Sequence, residues 1–82
     1  NDEAEFQAAL DADLPQEEEI ARLRTFLTVI QDEWITLLVK KRVADKAGLT
    51  PLANDTRASL EKTWKIMKQL KTELRNRGET VD

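Results

Sequence analysis

Residues Phe26 to Val39 read FLTVIQDEWITLLV. Drawn as a helix, this stretch carries apolar side chains on nearly every side, and its charges are Asp32 and Glu33 alone. A surface helix shows one apolar stripe, whereas a helix apolar around most of its girth must be covered on several sides. The stretch therefore predicts a helix that a single neighbour cannot satisfy.

Working outward, Ile20, Leu23, Leu27, Ile30, Trp34 and Leu37 alternate spacings of three and four, and Lys41 and Ala44 continue the frame. That spacing is the seam of a coiled coil or an antiparallel bundle. Upstream, Asp13 is placed to cap, Gln16 to complete a capping box, and Pro15 to occupy the first turn. Glu17, Glu18 and Glu19 then lie where the helix dipole favours negative charge, so this acidic run reads as a helix start in preference to a metal or acid-catalysis site. Downstream, Lys40, Lys41, Arg42 and Lys46 suit a helix C-terminus, and Gly48 is the expected left-handed terminator. The predicted helix spans about 15–47, roughly 50 Å long at ~1.5 Å per residue.

A second long helix is expected at about 51–77, with Thr50 as cap and Pro51 at its first position, Asn54-Asp55 being a competing start. Its seam reads Leu60, Thr63 or Trp64, Met67, Leu70 and Leu74, and it should end near Arg77-Gly78. Residues 79–82 are expected to fray. Residues 1–14 form an acidic arm or short helix over about 2–12, with Phe6, Ala9 and Leu10 on one side. A helix this short is marginal alone, so the arm either docks through Phe6 and Leu10 or frays.

Two long helices joined by a few residues must lie antiparallel. The expected fold is all-α: a short N-terminal helix, then a long antiparallel hairpin over residues 15–78, assembling into a dimeric four-helix-type bundle. Phe26, Val29, Ile35, Leu38, Val39 and Val43 fall outside the seam, and covering each is worth about 1.5–3 kcal/mol. Self-association is the simplest cover, and a second protein partner is the other.

Composition narrows the chemistry. The 82 residues contain no cysteine and no histidine, which removes thiolate chemistry, disulfides and the commonest general base and metal ligand. No Ser-His-Asp set, phosphate loop or metal-ligand spacing occurs, so no cofactor, metal or catalytic residue is expected. No apolar run approaches the ~20 residues of a membrane span, no signal peptide is visible, and the expected location is the cytoplasm. The net charge of −3 conceals a segregation. Residues 1–19 hold eight acids and no base, while residues 40–77 hold eleven bases against four acids.

Three groups of residues are candidates for function. Phe26, Val29, Trp34, Ile35, Leu38 and Val39 form the expected self-association or partner surface; Trp34 and Trp64 read as core or interface anchors, with base stacking the minor reading. Lys62, Lys65, Lys68, Lys71 and Arg75, with Arg77 nearby, recur on one side of the last helix. That face is ordinary solvated surface, a dock for an acidic protein surface, or a phosphate-backbone contact; the acidic arm could itself be its ligand, within the chain or across a dimer.

The third group is Leu23-Arg24, Asp32-Glu33, Leu37-Leu38 and Arg42, followed by Pro51 and Arg57, which are loosely similar to the helical pattern of all-α chorismate mutases. The resemblance implies a small all-α mutase. It departs from that pattern in the Arg24-to-Asp32 spacing, in Ala58 where a glutamate would follow Arg57, and in having no further catalytic helix after Gly78. The reading that joins most of these features is a non-enzymatic helical interaction module, self-associating and serving as an adaptor, assembly or regulatory unit. Nucleic-acid binding through the last helix is the alternative, and the mutase reading comes third.

Overall fold

The computed structural model describes residues 2–81. Among them lie three helices, α1 (Asp2–Asp11), α2 (Gln16–Lys46) and α3 (Thr50–Asn76). α2 and α3 pack antiparallel along their length, while no Cα of α1 comes within 8 Å of either.

α2 runs 31 residues because no glycine or proline interrupts it. It stops where Gly48 takes φ +71°. There the Leu49 N–H donates to the Ala44 carbonyl (2.9 Å) and the Gly48 N–H to the Asp45 carbonyl (3.2 Å). This pair of bonds is a Schellman motif, which satisfies the last carbonyls and turns the chain back. The reversal is so tight that α3 begins at Thr50, with Leu49 at the capping position and its carbonyl accepting from the Ala53 N–H at 2.9 Å. Thr50 is therefore the first helical residue and not the expected cap.

The start of α2 also differs from expectation. Pro15 holds the capping position at φ −54°, ψ 138°, and no side chain caps the helix. A residue preceding proline is disfavoured in the helical region, so α2 starts after Pro15 and Asp13 lies two positions upstream of the capping residue.

The seam is the one the spacing predicts. Leu27, Ile30 and Ala44 of α2 are buried, with Ile20, Leu23, Trp34, Leu37 and Lys41 partly so. On α3, Ala53, Thr56, Leu60, Thr63, Met67, Leu70 and Leu74 are buried, again alternating threes and fours. The main cluster, Leu27, Ile30, Met67, Leu70 and Leu74, sits towards the open end of the hairpin. Near the turn the contact is made by the small residues Ala44, Ala53 and Thr56. The two buried threonines cost little because each hydroxyl donates back along its own helix: Thr56 to Leu52 O (2.7 Å) and Thr63 to Ser59 O (2.8 Å).

At the second helix end the same device recurs. Gly78 has φ +83°, the Gly78 N–H donates to the Arg75 carbonyl (2.9 Å) and the Glu79 N–H to the Leu74 carbonyl (3.0 Å). The segment expected to fray at 79–82 is thereby folded back, as far as the described residues reach. Glu79 accepts from Arg24 at 2.9 and 3.1 Å, and Val81 packs against the core cluster; Asp82 lies outside the described residues.

Candidate functional site

The two hairpin helices form a single layer, and the described chain as a whole, α1 included, measures 52 × 37 × 14 Å along its principal axes. A two-helix layer has only one inward face per helix, and α2 carries more apolar side chains than that face holds. Phe26, Val29, Ile35, Val39 and Val43 remain 49–59% exposed. Helical spacing distributes them. Phe26, Val29 and Val43 lie on one flank of the seam, Ile35 and Leu38 on the other, and Val39 opposite the seam.

The expected surface is thus not one patch. Trp34 and Leu38 are partly buried within the hairpin, Trp34 because it is a seam residue packed on the core cluster, and Leu38 because its position borders the seam. Phe26, Val29, Ile35 and Val39 remain uncovered but point to different sides. Val43, left out of the expected set, lies on the same flank as Phe26 and Val29 but four turns on, with Glu33, Thr36 and Lys40 between. Its signal was the same alternation of three and four that identified the seam, applied one register over.

Each flank opens into a furrow. On the first, Phe26 of α2 with Ile66, Gln69, Leu70 and Glu73 of α3 line an open cavity of about 560 Å³, which Lys68 and Thr72 also border. Ile66 was not a sequence candidate; its partner in space, Phe26, lies 40 positions away and only the antiparallel register joins them. On the second, Trp64, Met67, Lys68, Lys71, Thr72 and Arg75 line a furrow of about 330 Å³ along α3. Trp64 is about half exposed, and its ring centroid lies 5.7 Å from that of Trp34 with the planes tilted by 44°. The ambiguity between Thr63 and Trp64 resolves by size. Where α2 supplies Trp34 to the seam, α3 supplies the small Thr63, and Trp64 lies beside it over the edge of Trp34.

The charges also sort. Arg24, Lys41, Arg57 and Arg77 each meet a carboxylate, the closest contacts being Arg77–Glu19 (2.6 Å), Arg77–Glu73 (2.7 Å) and Lys41–Asp45 (2.7 Å). Hydrogen bonds to Glu73 and then Glu19 hold the Arg77 guanidinium above its ordinary pKa, against a smaller desolvation effect. Arg77 therefore clasps the start of α2 to the end of α3 and is not part of the basic face. By contrast Lys62, Lys65, Lys68, Lys71 and Arg75 form no ion pair among the described residues. Their spacing of mostly three winds the row across α3 towards Trp64, and Lys68, Lys71 and Arg75 rim the Trp64 furrow.

The residues of the mutase-like pattern are spread along both long helices, from Leu23 to Arg57. Arg24 is engaged by Glu79 and Arg57 by Glu61, and Asp32, Glu33, Arg42 and Arg57 are exposed. No group of three or more acidic side chains among the described residues is placed to hold a metal ion, and no helix there is long and apolar enough to cross a membrane. Comparison with protein-family models, with curated proteins and with solved structures finds no match to this chain.

Proposed function

We propose that this chain is a non-enzymatic helical interaction module that self-associates, at its simplest as a dimer of hairpins, and acts as an adaptor, assembly or regulatory unit. The observation that carries the reading is surplus surface. A compact chain of 9.4 kDa exposes about 5,000 Å², whereas this one exposes 6544 Å². The excess, about 1,500 Å² per chain and so about 3,000 Å² for two, falls in the range that large obligate interfaces remove. The uncovered arm α1 and the half-exposed apolar residues of α2 both contribute to it. A second hairpin laid along the Phe26–Val29–Val43 flank would cover that row and fill the furrow beside Ile66, converting one helical layer into two.

Light scattering after size exclusion tests the reading. A dimer mass at ~100 µM, dissociating on dilution, is the expected result. A monomer at that concentration with a cooperative melt would remove self-association.

Nucleic-acid binding is the second reading, supported by the five unpaired cations in one row on α3. It requires binding to DNA or RNA that weakens steeply with salt and is lost in a Lys65→Glu, Lys68→Glu, Lys71→Glu variant. No binding at low salt would exclude it.

A further inference from the structure

α1 makes no approach to its own hairpin, and none of its residues is buried. Phe6 and Leu10, one turn apart, are 65% and 62% exposed, and Leu14, in the connection beyond the helix, is 55% exposed. Two large apolar side chains left uncovered are unfavourable in water, and ten residues of helix are marginal without a partner. Around them the arm carries acids only: Asp2, Glu3, Glu5, Asp11 and Asp13, with no base before Arg22.

The Trp64 furrow is the complement of that arm. Its floor is the half-exposed Trp64 with Met67, and its rim is Lys68, Lys71 and Arg75, all three without an acidic partner among the described residues. The sizes agree as well. At a rise of ~1.5 Å per residue, the furrow from Trp64 to Arg75 is about 16 Å long, and the ten-residue α1 about 15 Å. The linker argues for an occupant from another molecule. Only Ala12 to Pro15 separate α1 from α2; Pro15 is extended, at φ −54° and ψ 138°, and a residue before proline is biased away from the helical region. Those residues carry α1 away from its own hairpin where a fold-back would need a reverse turn.

We propose that α1 of one copy docks in the Trp64–Arg75 furrow of a second copy, Phe6 and Leu10 on Trp64 and acids against the lysine rim. Two copies related by a twofold axis exchange arms reciprocally. This assignment rests on the self-association reading but uses the flank other than the Phe26–Val29–Val43 row, so the arm exchange and the packing of hairpin on hairpin are separate contacts.

Full-length variants test it by sedimentation. Phe6→Asp with Leu10→Asp alters residues that are exposed in the hairpin chain, so helicity should persist while self-association weakens about tenfold or more. Lys68→Glu with Lys71→Glu and Arg75→Glu should weaken it comparably. Adding Glu5→Lys and Asp11→Lys to the furrow variant should restore it, because the charges again oppose. A Leu10→Cys, Thr72→Cys chain, otherwise free of cysteine, should oxidise to a covalent dimer; a disulfide formed within one chain would overturn docking on a second copy. A wild-type dimer whose affinity is untouched by the arm and furrow variants would overturn the arm exchange and leave self-association standing. A monomeric wild-type chain would remove both.

Discussion

Leu74 has no exposed surface at all, the deepest large side chain in the hairpin, because the tail closes over it where the helix ends. Leu74→Ala should cost about 2–5 kcal/mol, a large share of what a small domain has, and urea denaturation will show it as a lowered midpoint. Gly48 is a different case. Nothing lies within 4 Å of where its Cβ would stand, so Gly48→Ala meets no clash and its cost is the left-handed backbone, about 1–2 kcal/mol. The same denaturation experiment measures it. Arg77 supplies the pH test. Its pKa is raised on folding, so its contribution is complete below the pKa of a free arginine and is lost only as pH climbs through the higher folded value. Arg77→Gln should therefore lower Tm equally at about pH 6 and pH 9, a difference between the two indicating another titrating group.

Helix ends are where the elements are decided. Gly48 and Gly78 build the same reversing motif, and both are legible as stops; that the second stop also returns the chain is less so. A four-residue polar tail reads as frayed when taken alone. Its one apolar residue, Val81, lies beyond the helix where helical spacing no longer applies, and it is the reversal at Gly78 that returns it to the core cluster. A chain ending at Gly78 should lose about 1–2 kcal/mol from Val81 packing and the Arg24–Glu79 pair, seen as a lower Tm; an unchanged melt would mean the tail contributes nothing. At the other end, Asp13 has the right chemistry for a cap and the wrong neighbour. Pro15 intervenes, and local proline sterics outrank the capping preference of a residue two positions upstream.

The whole molecule is one helical layer, with a Cα radius of gyration of 17.5 Å where a compact chain of this length would have about 12 Å. Ile35, 56% exposed, makes that shape testable. In an isolated hairpin Ile35→Asp should change stability by no more than about 0.5 kcal/mol. If the chain associates through α2, the same substitution should lower both the assembly mass and the Tm at high concentration. Light scattering and concentration-dependent melts separate these outcomes, and a concentration-independent Tm in both proteins would speak against an interface at that residue.

The sequence by itself determined three things: the helices, through uninterrupted helix-forming runs closed by Gly48 and Gly78; the seam, through alternating threes and fours; and an apolar surplus on α2 too large for one partner. These follow from periodicity and backbone chemistry, which are local. Only the tertiary structure decided how that surplus divides between two flanks, and that Thr63 enters the seam while Trp64 covers its edge. It likewise decided that Arg77 is consumed in clasping α2 while Lys68, Lys71 and Arg75 are left to rim a furrow. Each of these depends on the register between residues far apart in the chain. FLTVIQDEWITLLV announced that something must cover it; the folded hairpin assigned each residue a side.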